Sequence, residues 1–201
     1  MKVIAGLYKG RKLISVKSET FRPTKMKIKE ALFSMLSSGQ FIYEEGCLLD
    51  DAVVLDLFCG SGALGLEALS RRAKHVVFVD NNDTHLAAAK EAARQLGVLP
   101  VSNFICCDAC FLPKSRVACD LVFIDPPYGS KLVVRAIEGM IRQNWMKPGC
   151  VIVVEQDNQE KLDAVPDKCE LLFERVYGKS KLMFLEFVGL TKPAESAHTE
   201  P

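Results

Sequence analysis

Apolar runs and helix-like stretches alternate through most of the chain. From residue 52 onward, runs rich in β-branched residues lie at 53–58, 75–79, 101–105, 119–124 and 150–154, and helix-like stretches lie at 63–72, 83–96 and 131–145. Near-continuous apolar strands separated by helices of ~10–15 residues are typical of a parallel sheet that is covered on both faces. The pattern therefore predicts an α/β fold built on a Rossmann-like, mostly parallel sheet.

The C-terminal part changes pattern. Residues 169–176 and 181–188 are both apolar-rich, and only the short stretch 177–180 separates them. That stretch leaves no room for a crossover helix, so the two runs are predicted to pair as an antiparallel hairpin. Residues 190–201 are polar, which predicts a disordered tail.

The N-terminal part also departs from the alternation. Two short apolar-rich stretches within residues 2–16 predict a β-hairpin or extended arm. Thr24 is predicted to cap a following helix, in which Ile28, Leu32 and Met35 share one apolar face. We predict three parts: a basic arm of hairpin and helix packed on the core (1–50), the sheet domain (51–189) and the tail (190–201).

The basic residues are concentrated at the N-terminus. Residues 1–36 carry nine Lys or Arg and two Glu, a balance of +7, whereas the whole chain has a net charge of +1. The remainder must then sum to −6, because 1 − 7 = −6. A basic arm on a mildly acidic body is typical of a protein that binds a polyanion, although a solvated helix face with a lysine-rich edge strand would look similar.

Composition excludes several classes of protein. A hydrophobic fraction of 49% in 201 residues is enough for a substantial core. No apolar window reaches the ~18 residues of a membrane span, and the first residues lack a signal-peptide core, so we expect a cytoplasmic protein with no membrane partner. The eight cysteines lack zinc-finger spacing and are expected to be reduced thiols, so no metal site is predicted.

A glycine-rich loop follows the first strand of the alternation. Residues 56–65 read DLFCGSGALG, which places a GxGxxG pattern between a strand and a helix, and Asp80 lies twenty residues after Gly60. A carboxylate there can accept hydrogen bonds from ribose hydroxyls. The loop therefore predicts a ligand that contains a nucleoside.

Three acids at successive strand ends favour one nucleoside ligand over another. Asp56 is available for an ammonium group, Asp80 for a ribose, and Asp108 for an adenine amino group. A dinucleotide would instead need its pyrophosphate at the helix N-terminus. The acids favour S-adenosylmethionine over NAD, although each acid taken singly could be a helix cap.

The sequence FIDPPY ends the fourth apolar run of the alternation at residues 123–128. One interpretation is a strand stop, because proline cannot donate to a ladder. The other is a site for an aromatic amine: Asp125 and a backbone carbonyl would accept its two hydrogens, and Tyr128 would stack on the base. Such a base must be unpaired or flipped out of its stack.

Residues 56–65 together with Asp125–Pro126–Pro127–Tyr128 resemble the class I S-adenosylmethionine-dependent amino-methyltransferases. Within that superfamily, residues 3–188 resemble the RsmD-type bacterial 16S ribosomal RNA (guanine-N2)-methyltransferases. The narrower likeness is carried by the stretches Ile4-Ala5-Gly6 with Gly10-Arg11-Lys12-Leu13, Arg22-Pro23-Thr24 with Glu30-Ala31-Leu32-Phe33, and Gly65-Leu66-Glu67-Ala68-Leu69-Ser70-Arg71. The turn at 177–180 and the residues after Asp80 depart from the family's pattern.

The resemblance implies methylation of one guanine of ribosomal RNA, with free RNA or a partly assembled small subunit as the partner of a monomeric enzyme. The expected catalytic residues are Asp125, Pro126, Pro127 and Tyr128. The expected cofactor contacts are Asp56, Phe58, Gly60, Ser61, Gly62, Asp80, Asn81, Asp108, Ala109 and Asp125. The expected RNA contacts are Lys9, Arg11, Lys12, Arg22, Thr24, Lys25 and Lys29. An amino-methyltransferase for adenine N6 or cytosine N4 of DNA or RNA, and a non-catalytic RNA-binding assembly factor, stay open as alternatives.

Overall fold

The structure is a computed structural model that describes residues 1–13, 23–44, 46–127, 129–162 and 164–189. Its α-helices are α1 (Pro23–Leu36), α2 (Ala63–Ser70), α3 (Asp83–Leu96) and α4 (Val133–Arg142). Its strands are β1 (Ile42–Tyr43), β2 (Gly46–Cys47), β3 (Val53–Leu57), β4 (His75–Asp80), β5 (Ser102–Cys106), β6 (Cys119–Ile124), β7 (Met146–Asp157), β8 (Cys169–Tyr177) and β9 (Ser180–Phe187). Single 3-10 turns lie at Gly39–Phe41 and Leu99–Val101.

Seven of these strands form one sheet in the order β5-β4-β3-β6-β7-β9-β8. Strands β3 to β7 pair in parallel, and β9 inserts antiparallel between β7 and β8. The predicted mostly parallel sheet with a C-terminal antiparallel hairpin is therefore confirmed. Gly178 has a φ of 62° at the first central position of the two-residue β8–β9 turn, a conformation that glycine adopts without strain and that a type II′ turn requires.

The sheet separates two apolar clusters. On one face, α2, α3, α1 and the N-terminal segment pack over side chains such as Val54, Phe78 and Phe123. On the other face, α4 packs its Ile137 and Met140 over side chains such as Leu55 and Val122. Successive strand residues point to opposite faces, so burial on both sides explains why these runs are apolar without alternation.

The N-terminal segment belongs to the first of these clusters. Residues 1–13 fold back as an antiparallel hairpin with one β-bridge, Lys2 to Lys12, and the N–H of Val3 donates to the carbonyl of Arg11 at 3.1 Å. Val3 and Leu13 are buried in the same cluster as the helices. The predicted hairpin is confirmed, and it packs directly against the sheet domain.

Helix α1 begins one residue before the predicted cap. Pro23 is its first residue, a position at which the missing N–H of proline costs nothing, and Thr24 therefore lies inside the first turn and is not the N-cap. The side chains of residues 23–25 lie outside the described part, as do all of residues 190–201, so the predicted tail is not addressed. Among the described helices, none is both long enough and apolar enough to cross a membrane.

Candidate active site

The strand order reverses its direction at β3, which brings several loops to one crevice. Strands β3 and β6 are hydrogen-bonded neighbours although β4 and β5 lie between them in sequence, and β4 flanks β3 on its other side. In open α/β sheets, ligands bind beyond the carboxyl ends of the strands at such a switch point. The carboxyl ends of β3, β4, β5 and β6 and the loops that follow them carry the predicted cofactor and catalytic residues.

The glycine loop after β3 is held in an unusual backbone conformation. Phe58, Gly60 and Gly62 have φ values of 59°, 52° and 79°. The N–H of Gly62 donates to the carbonyl of Cys59 at 2.7 Å, which closes a tight turn into α2. A positive φ at a bulky residue such as Phe58 costs of order 1–3 kcal/mol and is found mostly where function requires it.

Helix α2 starts immediately against the sheet. A Cβ on Gly65 would lie 2.4 Å from the ring of Phe78 and 2.8 Å from Val76, so no side chain fits there. The third glycine of the pattern is therefore needed for close packing of helix on strand. Ser61, in the loop itself, is buried, with its Oγ 4.0 Å from the sulfur of Met1.

Asp80 ties the end of β4 to the glycine loop. Its Oδ2 accepts the N–H of Gly60 at 2.8 Å, and its Oδ1 accepts the N–H of Asn82 at 2.9 Å. The Nδ1 of His85 lies 3.3 Å from Oδ1. The carboxylate is 7% exposed, and the neighbouring Asn81 is exposed. Asp80 is thus fixed beside the glycine loop by two backbone N–H groups, one in that loop and one just after β4.

Asp56 lies deeper than the other acids. Its side chain is 2% exposed, and its Oδ2 accepts the N–H of Gly65 at 2.8 Å, inside the first turn of α2. Burial raises the pKa of this carboxyl to about 8, the Gly65 hydrogen bond opposes that shift, and the negative charges of Asp125 and Asp80 add to it. The structure therefore brings the carboxylates of Asp80 and Asp125 close enough to Asp56 to influence its ionisation.

Asp108 follows β5 at the same edge of the sheet. Its Oδ1 accepts the N–H of Cys110 at 2.8 Å, while Ala109 beside it is buried. The N–H of Cys107 donates to the carbonyl of Asp80 at 3.1 Å. The third acid therefore lies next to the end of β4, at an exposed position where it can meet a ligand.

The segment after β6 forms the far side of the crevice. Asp125 is half-buried, Pro126 is buried and Pro127 is exposed. The carbonyl of Pro127 accepts the N–H of Ser130 at 3.2 Å. The N–H of Gly129, in the same loop, donates to the Glu160 carboxylate at 2.5 Å. Tyr128 lies outside the described residues, so its predicted stacking role is a proposal only.

The predicted RNA contacts divide into two groups. Lys9, Arg11 and Lys12 are exposed on the hairpin, and the Arg11 guanidinium lies 5.6 Å from the ring of Tyr8. Lys29 is different, because its Nζ lies 3.4 Å from the Glu67 carboxylate and its side chain is only 11% exposed. Lys29 therefore holds the arm against the domain instead of facing solvent. Arg22 and the side chains of Thr24 and Lys25 lie outside the described part.

Two acidic residues of the site region were not identified from the sequence. Glu67 is buried in α2, where it accepts the N–H groups of Ile4 and Ala5 at 2.8 and 3.0 Å. The sequence does contain a signal for Glu67, because it is the only charged residue of the mostly apolar helix α2. Glu160 has no such local signal, since it lies in a polar stretch and is brought to Gly129 by the fold alone.

Comparison with known proteins agrees with this geometry. The family model described as Conserved hypothetical protein 95 matches residues 1–186. Ribosomal RNA small subunit methyltransferase D of Haemophilus influenzae is 36% identical over 185 residues, which cover 89% of each chain. The protein of the same name from Escherichia coli K12 is 31% identical over 182 residues, or 89% of this chain and 86% of that one.

A solved structure extends the likeness to three dimensions. The putative methyltransferase yhhF from Escherichia coli superimposes with a TM-score of 0.81 at 27% identity, over 94% of this chain and 99% of the other. The Rossmann-like methyltransferase fold and the RsmD-type resemblance seen in the sequence are thereby confirmed. The chain belongs to the Conserved hypothetical protein 95 family, and ribosomal RNA small subunit methyltransferase D is among its relatives.

Proposed function

We propose that this protein transfers a methyl group from S-adenosylmethionine to the exocyclic N2 amine of one guanine in 16S ribosomal RNA, as free RNA or within a partly assembled small subunit. One observation carries the proposal. Leu57 at the end of β3 pairs with Ile124 at the end of β6, so Asp125 on its proline-stiffened loop lies beside the glycine loop, and an amine acceptor and a nucleoside site would share one crevice. The relatives named as ribosomal RNA methyltransferases support the same reaction class.

The charges of the crevice fit S-adenosylmethionine better than a dinucleotide. The N–H of Gly65, in the first turn of α2, already donates to Asp56, and Asp80 lies beside the same loop. A pyrophosphate placed there would face two acids, whereas a ligand with an ammonium group would be attracted to them. An ammonium beside Asp56 would also favour the charged form of this buried carboxyl.

The proposed cofactor contacts follow from where the acids lie. Asp56 would hold the ammonium group, Asp80 the ribose hydroxyls and Asp108 the adenine amino group, with Phe58, Gly60, Ser61, Gly62, Asn81, Ala109 and Asp125 around them. When bound, S-adenosylmethionine supplies an electrophilic methyl group on a sulfonium. The protein's part is to orient the amine opposite that methyl and to exclude water from the crevice.

The catalytic loop would prepare the nucleophile. The lone pair of a guanine N2 amine is delocalised into the ring, which makes the nitrogen a poor nucleophile. Asp125 and the carbonyl of Pro126 would each accept one amine hydrogen, which turns the lone pair out of the ring plane. The N–C bond then forms as the methyl–sulfur bond breaks and its electron pair stays on sulfur. One N2 proton leaves to Asp125 as charge develops, and then to water.

The RNA would be bound by the exposed cations of the N-terminal hairpin. Lys9, Arg11 and Lys12 project from a segment whose first residue reaches the glycine loop, since the Met1 sulfur lies 4.0 Å from Ser61 Oγ. Tyr8, with Arg11 over its ring, offers a face on which a base can stack. Phosphate contacts there would position the RNA near the crevice without reading its sequence.

Labelled product analysis tests the proposal. The protein is incubated with methyl-labelled S-adenosylmethionine and undermethylated small-subunit RNA or subunits, and the RNA is digested to nucleosides. N2-methylguanosine is the expected product. N6-methyladenosine or N4-methylcytidine would establish the alternative amino-methyltransferases, and RNA binding with no methylated product would establish a non-catalytic assembly factor.

A further inference from the structure

A cavity of about 280 Å³ lies beside the proposed catalytic loop. It is lined by Gly129 and Lys131 of that loop, by Gln156 near the end of β7, and by Glu160 and Lys161 of the following segment. Ile124 pairs with Val154 in the sheet, so Gln156, two residues on, runs alongside the prolines that follow Asp125. The cavity therefore adjoins the segment that would hold the methylated amine.

Glu160 is fixed at the wall of this cavity. Its carboxylate accepts the N–H of Gly129, and its own carbonyl accepts both the side-chain amide of Gln156 at 2.8 Å and the Lys181 Nζ at 3.2 Å. Side chain and backbone are thus both anchored, one to the catalytic loop and the other to the sheet. A carboxylate held in this way is a preorganised hydrogen-bond acceptor.

Cations accompany that carboxylate. Lys131 and Lys161 both line the cavity. Lys131 has a φ of 53°, in the left-handed region that a lysine rarely adopts, which sets the direction in which its side chain leaves the loop. The cavity thus combines an acceptor, Glu160, with two cationic donors, and its remaining wall includes the apolar side chains of Val133 and Leu162.

The edge of guanine next to its N2 amine requires a hydrogen-bond acceptor and, beyond it, a hydrogen-bond donor. Guanine presents N1–H as a donor directly beside N2, and O6 as an acceptor beyond it. Adenine presents an unprotonated N1 as an acceptor beside its N6 amine, which would be repelled by a carboxylate. When the exocyclic amine of a base lies at Asp125, the protein group that meets N1 would therefore discriminate guanine from adenine. A volume near the lower end of the ~300–1,000 Å³ range of ligand pockets suits one planar base.

We propose that this cavity receives the flipped target guanine and that Glu160 reads its N1–H, while Lys131 and Lys161 donate to O6. The inference rests on the proposed function and adds to it the residues that select guanine. Asp125 and the Pro126 carbonyl act on the reacting amine, whereas Glu160 decides which base presents that amine.

A base-analogue experiment tests this assignment. After wild-type protein has been used to map the methylated guanine, 16S RNA is assembled by ligation with either guanine or 2-aminopurine at that position. The analogue keeps the N2 amine but lacks both N1–H and O6. Wild type is expected to methylate the analogue at least ~100-fold more slowly, because sites built around a hydrogen bond reject substrates that lack it. In Glu160→Ala the guanine rate should fall by a similar factor and the analogue rate should change by no more than a few-fold.

Comparing the guanine and 2-aminopurine rates of one variant shows whether Glu160 recognises the base or only holds the catalytic loop in place. If Glu160→Ala slows guanine and 2-aminopurine equally, Glu160 only positions Gly129 and the assignment is wrong. Equal rates for the two bases in wild type would overturn it as well. Glu160→Gln, which keeps an acceptor for Gly129, provides a second variant if the alanine protein does not fold, and it should keep the guanine preference only in reduced form.

A matched control uses an acid away from the cavity. Glu138 is exposed on α4 and pairs with Arg142 at 3.7 Å, so Glu138→Ala removes one negative charge and should leave the guanine-to-analogue ratio unchanged. Failure of the proposed function has a different signature, since it would appear at the mapping step as the absence of N2-methylguanosine with wild-type protein. Under that outcome no guanine pocket exists and the inference falls with it.

Discussion

Glu67 Oε2 accepts the backbone N–H of Ile4 at 2.8 Å, across 63 residues of sequence. The same carboxylate also accepts the N–H of Ala5 and contacts the cationic groups of Lys29 and Arg71 at 3.4 and 3.0 Å. Its side chain has no exposed surface. Because α2 begins at the glycine loop, this one carboxylate fixes the N-terminal hairpin relative to the proposed cofactor site.

Replacing Glu67 should therefore destabilise the whole protein. Glu67→Gln removes the charge that compensates Lys29 and Arg71, and burial already lowers the pKa of Lys29. Loss of one partner of a buried ion pair typically costs ~3–5 kcal/mol, so the free energy of unfolding should fall by about that amount in urea titrations. The exposed Glu138→Gln should change it by less than ~0.5 kcal/mol. Equal effects of the two substitutions would contradict the role assigned to Glu67.

Gly6 and Gly10 form a matched pair on the same hairpin. Both have a positive φ, of 80° and 83°, but a Cβ on Gly6 would lie 1.8 Å from the carbonyl oxygen of Ser70, whereas one on Gly10 would meet nothing within 4 Å. Gly6→Ala should cost about 2–4 kcal/mol, the sum of overpacking and backbone strain, and Gly10→Ala about 1 kcal/mol of strain alone. Thermal unfolding of both variants measures the difference. A Gly10 variant as damaged as the Gly6 variant would argue against this close contact with α2.

Asp56 should make stability fall as the pH rises. Burial raises the pKa of this carboxyl to about 8 in the folded protein, well above the ordinary value of 3.8. The folded state then binds more protons than the unfolded state between those two values. The free energy of unfolding that depends on this carboxyl is therefore highest below pH ~4. It decreases as the pH rises towards ~8, by up to ~1.4 kcal/mol per pH unit. Asp56→Asn should flatten this part of the urea-derived stability profile, while the exposed Asp51→Asn should not.

Asp125 should matter far more for transfer than for cofactor binding, because Asp56, Asp80 and Asp108 would make the main polar contacts with the cofactor. Asp125→Ala removes the acceptor that would orient the amine and take its proton, so the methyl-transfer rate should fall by ~10²–10⁴-fold. Calorimetric titration should show S-adenosylmethionine affinity within a few-fold of wild type. Asp167→Ala, at an exposed position after β7, is the control and should keep full activity. Substantial transfer by the Asp125 variant would refute its catalytic role.

The hairpin lysines should contribute to RNA affinity by neutralising phosphates. Removing one lysine–phosphate pair lowers the slope of log K against log salt by ~0.7 for single strands and ~0.9 for duplexes. Lys9→Ala with Lys12→Ala should therefore weaken RNA binding and flatten its salt dependence by about 1.4–1.8, with S-adenosylmethionine affinity unchanged. Lys114 is exposed beside Ser115, whose N–H donates to Gln143 at the end of α4, on the sheet face opposite the hairpin, and Lys114→Ala serves as the lysine control. An unchanged slope in the double variant would exclude the hairpin as the RNA surface.

The sequence alone determined most of the architecture. Each apolar run of residues 53–58, 75–79, 101–105, 119–124 and 150–154 corresponds to a strand that the structure contains, and the glycine loop, Asp80, Asp108 and Asp125 lie at strand ends where their spacing placed them. Such patterns can be recognised in the sequence because they depend on local properties of the chain. A run of β-branched residues sets the backbone of its own segment, and parallel strands bring their carboxyl ends to one edge whatever the distant packing.

Tertiary structure decided what each charged group faces. Lys29 and Arg11 look alike in the sequence, yet packing against Glu67 buries the first and leaves the second exposed. Asp56 and Asp108 both follow the pattern of ligand-binding acids, but Asp56 is enclosed by α2, where burial raises the pKa of its carboxyl, whereas Asp108 is exposed. Glu160 reaches Gly129 across 31 residues. Burial and pairing depend on groups that are far apart in the chain, so these contacts appear only when the whole chain has folded.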